Sequence, residues 1–269
     1  MLKKIYWAYC NYRNRKRWDK EINDMSPLVG LSHVAEFQPE VKILVIAPHA
    51  DDELIGCHQL MVNNKNKVVV FYCGYLGSNQ CESNRLTRES EFINYVNNIG
   101  VQYIVSSQRK VSEELGLVLR NYKPDVICLP SYIDWHREHR QINDICFSII
   151  PKSAPETTVC WYHISIPIPK SFINSVSLMS LAQHSYKWDM MKTFYKSQLH
   201  MDTNRFQYVE RIHGLANSYA ETYCIMSVQE WCANLVKIHE SGDFDILKQT
   251  LGDIKKMYTM SDSFYCQLL

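Results

Sequence analysis

Glycine and proline are scarce, nine of each in 269 residues, which leaves little room for flexible linkers and excludes a collagen-like chain. No apolar run approaches the roughly 20 residues that a membrane span requires. The N-terminus has no uninterrupted apolar stretch with a small-residue cleavage site, so no signal peptide is expected. Neither sign of charge is in excess: 29 Lys and Arg stand against 28 Asp and Glu, and a formal net charge of +1 gives no argument for a nucleic-acid partner. No GxGxxG follows the first apolar strand, which speaks against a plain dinucleotide-binding domain. The ten cysteines form no CxxC pair. Several, such as Cys73 and Cys128, sit inside apolar runs, and a core of this size needs no staples. Buried reduced thiols in a cytoplasmic protein are therefore expected, not a disulfide framework.

The composition is that of an ordinary globular chain, 46% hydrophobic and 21% charged. The length suits one large domain or two small ones. Residues 1–20 stand apart. They carry Lys3, Lys4, Arg13, Arg15, Lys16, Arg17 and Lys20 against Asp19, interleaved with Tyr6, Trp7, Tyr9, Tyr12 and Trp18. Such a segment is either a helix with its aromatic side on the core, or a basic amphipathic surface for anionic lipid or a polyanionic substrate. Peripheral membrane contact through residues 1–20 is the second expectation.

From residue 41 strands and helices alternate. Residues 41–47 (VKILVIA), 67–73, 101–106 and 125–129 read as buried strands, and 53–63, 83–99 and 111–122 as helices. Gly100 follows the second helix in the place of a left-handed C-cap. The alternation predicts an α/β fold: an open, mostly parallel, Rossmann-like sheet with helices on both faces, in a single domain. Residues 157–166 and 219–226 read as later strands, and 184–200 and 228–240 as helices. The expected organisation is a basic, aromatic extension over 1–40, the main domain over 41–226, and a helical extension over 227–269 to which no function attaches.

Two polar segments follow predicted strands: Pro48-His49-Ala50-Asp51-Asp52-Glu53 and Asp134-Trp135-His136-Arg137-Glu138-His139. An open parallel sheet binds ligands at the carboxyl ends of its strands, so both segments are expected on one rim. Imidazole and carboxylate suit a divalent metal, and a catalytic zinc takes three protein ligands and leaves one position open. His49, one of Asp51 and Asp52, and one of His136 and His139 supply that set. The remaining aspartate is then free to act as a base. The bland alternative is a rim of solvated polar groups, with the acids at 51–53 serving a helix N-terminus.

The string VIAPHADDELIGC resembles the signature of the LmbE-like, PIG-L-type N-deacetylases, with Ala50 where proline is usual and His58 where glycine is frequent. Arg88-Glu89-Ser90-Glu91 before Gly100-Val101, Pro124-Asp125-Val126, and Asp134-x-His136-x-x-His139 are similar to further motifs of that family, with Arg137 in place of a common proline. Tyr195-Lys196-Ser197-Gln198 and Ala220-Glu221-Thr222-Tyr223 resemble two late ones. The resemblance runs from about 41 to 226. It implies that His49, Asp52 and His139 hold zinc, with iron(II) or another divalent ion as alternatives. It implies Asp51 as general base and His136, as imidazolium, facing the substrate carbonyl. The expected activity is removal of acetyl from an N-acetylglucosamine-type sugar of a glycoconjugate, lipid-linked or anionic. A metal-dependent amidase on a non-sugar amide, or a binding protein for glycan or nucleotide, is the alternative. Arg88 and Asp134 are expected at the substrate, although Asp134 also suits holding the imidazole of His136 or capping the following helix. Glu53 is expected either to orient a metal ligand or to act as a first-turn helix acid. Nothing in the sequence speaks to the oligomeric state.

Overall fold

The computed structural model describes residues 2–25, 35–36, 41–76, 81–107, 109–214, 218–240 and 242–268. The expected boundary near residue 40 lies outside them, as do the side chains of Lys3, Lys4 and Trp7.

Eight strands form one sheet: β1 Ala35–Glu36, β2 Ile43–Ala47, β3 Val68–Tyr72, β4 Gln102–Val105, β5 Val126–Pro130, β6 Thr158–Tyr162, β7 Ser175–Met179 and β8 Tyr219–Ser227. Their order is β1-β7-β8-β6-β5-β2-β3-β4. β8 runs antiparallel to both β6 and β7, and the remaining pairs are parallel. β2, β3 and β5 are buried at every position, so their apolar runs serve both faces of the sheet. Leu44, Ile46, Phe71 and Ile127 enter one core; Ile43, Val45, Val70 and Cys128 enter the other.

The helices are α1 Leu2–Met25, α2 Asp52–Asn63, α3 Glu82–Ile99, α4 Val111–Tyr122, α5 Arg137–Ser153, α6 Leu181–Phe194, α7 Asn204–His213, α8 Val228–Glu240 and α9 Ile254–Tyr265. α2, α3 and α6 supply Leu54, Phe92, Tyr95 and Trp188 to one core. α4, α5, α8 and α9 supply Leu115, Ile142, Trp231 and Met257 to the other, so residues beyond 227 pack into the same body. α7 gives Phe206 to the first and Val209 to the second. Gly100 takes the expected left-handed conformation, φ 74°, and caps α3.

Several elements differ from the sequence reading. β7 was not foreseen, because its SVSLM pattern has buried Ser175 and Ser177 in place of a β-branched run. The helix expected over 184–200 starts at Leu181 under a Ser180–Gln183 capping box and ends at Phe194. All ten cysteines are free thiols. In α1, Trp18 is buried and meets Tyr208 edge to face at 5.3 Å, while Tyr6, Tyr9 and Tyr12 are exposed.

Two late motifs hold the scaffold together. Ser197 donates to Glu91 through both N (2.8 Å) and Oγ (2.6 Å). Glu221 accepts from Gln59 N (2.9 Å) and Leu60 N (3.2 Å) inside α2, and from Lys187 Nζ (2.7 Å). Lys187 also donates to Ile55 O (2.8 Å) and to Glu210. The fully buried ammonium and its carboxylates thus enter the hydrogen-bond ladder of α2 and tie that helix to α6, α7 and β8.

Gly56 is required by close approach. A Cβ there would lie 2.2 Å from Tyr162 Cδ2, and that ring is fixed by its hydroxyl donating to Ile46 O at 2.7 Å. Gly56→Ala is therefore expected to destabilise the protein by about 1–3 kcal/mol. Urea denaturation checks this, and an unchanged midpoint would show that the ring yields at no cost.

Candidate metal centre

The sheet order reverses between β2 and β5, and the loops leaving both strands meet at that crevice. β2 ends at Ala47, a four-residue loop follows, and α2 begins at Asp52 with Asp52 and Glu53 in its first turn. β5 ends at Pro130, and α5 begins at Arg137 with His136 at its N-cap and His139 in its first turn. Residues about 85 positions apart in sequence are thereby brought into contact.

Three donor atoms converge. Asp52 Oδ2 lies 3.1 Å from His49 Nδ1 and 3.3 Å from His139 Nε2, and the two ring nitrogens are 3.2 Å apart. All three residues are buried. The opposite nitrogen of each ring faces a carboxylate. His49 Nε2 donates to Glu138 Oε2 at 2.9 Å, and His139 Nδ1 lies 3.3 Å from Asp134 Oδ2. In the neutral rings that pairing directs the proton to the outer nitrogen of each imidazole and leaves the inner lone pair facing the centre. Three lone-pair groups this close repel unless a cation or shared protons lie between them. Tetrahedral zinc with bonds of about 2.0–2.1 Å would set neighbouring ligands about 3.3 Å apart, so the donor set fits such an ion. A second set also exists: ring nitrogens of His49, His136 and His139 lie within 4.8 Å of one another. The first triangle is tighter, and it includes a carboxylate to balance a divalent charge.

The electrostatics agree with a cation site. Burial opposes charge on His139, yet Asp52 and Asp134 outweigh it and raise its pKa to about 10. Burial likewise opposes charge on Asp52, but His139 and His49 hold it well below the usual carboxylate range. Burial lifts Asp51 to about 7 against the pull of Arg88, whose Nη1 is 4.0 Å from Asp51 Oδ2. His136 is lowered, first by burial, with Glu138 acting the other way from 3.4 Å.

Asp51 is adjacent to the triangle without belonging to it. Its φ of 128° is far from the conformations side chains prefer, a strain of about 1–3 kcal/mol that the surroundings must hold. Glu53 does the holding: it accepts from Asp51 N at 3.3 Å and from the Tyr195 hydroxyl, and burial raises its pKa to about 8. Both Asp134 oxygens are engaged within the protein, with His136 N (2.8 Å) and Ser165 N (3.0 Å), so its closest functional neighbour is His139. Ala50 is buried, and His58 turns to Tyr95 Oη at 2.7 Å.

These groups line a cavity of about 680 Å³. His49, Asp51, Asp52, Arg88, His136 and His139 line it together with Trp135, Ser197, Gln198, His200, Arg205 and Phe206. Sequence reasoning missed Glu138 and the wall around Arg205. Glu138 sits inside a motif already singled out, and the signal that could have found it is an acid between two histidines. Arg205 carries no local signal at all.

The family model described as PIG-L, GlcNAc-PI de-N-acetylase, matches residues 44–150. No curated protein matches the chain. Among solved structures, a conserved protein of Thermus thermophilus is 19% identical, with 68% of this chain and 93% of that one covered and a TM-score of 0.52. An antimicrobial pseudoaglycone deacetylase is 15% identical, covering 70% and 98%, with a TM-score of 0.54. The zinc-inhibited form of teicoplanin deacetylase is 12% identical, covering 68% and 97%, with a TM-score of 0.52. At these identities the likeness is one of fold. The matched segment 44–150 contains both rim motifs and every residue of the converging donor set, and over that segment the chain is similar to the PIG-L, or LmbE-like, family.

Proposed function

We propose that the protein is a metal-dependent N-deacetylase that removes acetyl from an N-acetylglucosamine-type sugar of a glycoconjugate. The observation that carries this reading is the His49–Asp52–His139 triangle beside an unligated, buried Asp51 at the wall of a ligand-sized cavity. In it, His49, Asp52 and His139 hold zinc, or iron(II) or another divalent ion. Such an ion would polarise the amide carbonyl and lower the pKa of water at the site.

The chain's own groups do the rest. Asp51 takes a proton from the water that attacks the acetyl carbon. His136 hydrogen-bonds the oxyanion of the tetrahedral intermediate. Asp51 then returns its proton to the departing nitrogen as the C–N bond breaks, leaving acetate and a free amine. Glu138 orients His49, Asp134 orients His139, and Arg88 reaches a substrate hydroxyl or anion near Asp51. An acetate-release assay over N-acetylglucosamine glycosides and N-acetylated amino acids tests the reading. Release from the sugars is expected. Release from the amino-acid conjugates alone would replace the sugar with another amide, and release from none by metal-loaded protein would sink the deacetylase.

A cytoplasmic location with peripheral membrane contact is part of the same proposal. Free, mostly buried thiols support the first. No helix among the described residues is long and apolar enough to cross a membrane. The exposed Tyr6, Tyr9 and Tyr12 beside Arg13 and Lys16 support an interfacial face on α1. Flotation with anionic liposomes, for the full chain and one lacking residues 1–20, is expected to show lipid binding only in the former; equal failure to float removes the membrane contact.

A further inference from the structure

Arg205 is the second residue of α7 and lines the cavity. Its Nε is buried and has no hydrogen-bond partner. Among the described residues its guanidinium forms no hydrogen bond or ion pair, and it only stacks on the ring of Phe206, with Cζ 4.6 Å from the centroid. Two acids act on it without bonding it: both Asp134 oxygens accept from backbone N–H groups, and Asp202 is turned to its own helix start, where Oδ1 accepts from Asn204 N (3.3 Å) and Nδ2 (2.7 Å). Burial pulls Arg205 down to about 10 against the opposing effect of Asp134 and Asp202, so it is still a full cation at neutral pH. Arg88, across the same lining, has a buried Nη1 that also lacks a hydrogen-bond partner.

A folded chain rarely keeps a partly desolvated guanidinium without a partner, because the buried charged donor loses water and regains nothing. Hydrogen-bond capacity left open on a cavity wall is capacity for a ligand. A guanidinium fork is matched by an oxyanion, which it can bind with two parallel hydrogen bonds. The first turn of α7 adds the positive end of the helix dipole on the same side.

We propose that Arg205 selects a substrate that carries an anionic group, a carboxylate or a phosphate, in addition to its N-acetyl. This rests on the cavity being the substrate site of the proposed deacetylase. Asp134 and Asp202 act on the Arg205 charge without hydrogen-bonding it, and an oxyanion fills the open donor fork where sugar hydroxyls match it less well. Arg205 touches the substrate but not the reacting bond.

Isothermal titration of the protein as purified tests the assignment with three probes: methyl N-acetylglucosaminide, N-acetylglucosamine 1-phosphate and N-acetylglucosaminuronic acid. At least one anionic probe is expected to bind about tenfold or more tighter than the neutral one. Arg205→Gln is expected to bring that ratio close to one, and Arg205→Lys to restore part of it. Coordination of a probe to a metal is common to all three proteins and cancels in the comparison. Which anionic probe gains distinguishes phosphate from carboxylate. Equal binding of all three probes by wild type, or a preference undiminished in Arg205→Gln, overturns the proposal. Should no sugar bind, inorganic phosphate decides: Arg205-dependent binding upholds the anion site while sinking the sugar reading. Binding that is absent, or indifferent to Arg205→Gln, overturns the anion site itself.

Discussion

Asp51→Asn is expected to lower the turnover of acetate release about 10²–10⁴-fold, the effect of losing a positioned general base. The substitution keeps the side chain's size and leaves the backbone at this position to the same Glu53 contact. Asp51 lies outside the converging donor triangle, so the metal content should stay at the wild-type level. KM should change little, because the lost interaction belongs to the step and not to binding. This combination of full metal, near-normal KM and lost turnover separates a base from a ligand. A variant that hydrolyses substrate at the wild-type rate would end the role assigned to Asp51.

Asp52→Ala is expected to abolish both metal binding and activity. Elemental analysis of protein purified without added metal should give about one zinc or iron per wild-type chain and none in the variant. Chelation of wild type should remove acetate release, and zinc should restore it. The same measurement decides between the two donor sets. If His49, His136 and His139 held the ion, Asp52→Ala would keep it and His136→Ala would lose it. If His49, Asp52 and His139 hold it, the pattern reverses. Glu138→Gln and Asp134→Asn, which alter only the partners of the outer ring nitrogens, should weaken metal affinity about 10–100-fold. A wild-type protein that takes up no ion even when zinc is supplied would return the three residues to the status of a buried polar cluster.

The site was legible in sequence to the extent that its residues are local to two strand ends. His49, Asp51 and Asp52 fall within four positions after an apolar run, and His136 and His139 lie on one helix start. The α/β alternation then places both runs on one rim, whatever the details of the sheet. The family resemblance went further and separated Asp51 from Asp52. Glu53 shows where the reading ran short. As a first-turn acid it had two equally good roles, and only the approach of Tyr195, 142 residues away, shows that it anchors the Asp51 loop.

By itself, the sequence determined the element types, the open and mostly parallel sheet, and the convergence of the two polar motifs. These follow from hydrophobic period, strand-end position and the right-handed crossover, all of which are written over short stretches of chain. Only the tertiary structure decided that β8 inserts antiparallel between β6 and β7, and that Glu138 and Asp134 take the outer nitrogens of the two histidines. It also brought Arg205 to the cavity with no partner and left three tyrosines of α1 exposed while Trp18 was buried. Except for Asp134 with His139, these are contacts between residues tens to hundreds of positions apart. Their energies depend on which groups lose water together, and no periodicity along the chain encodes that.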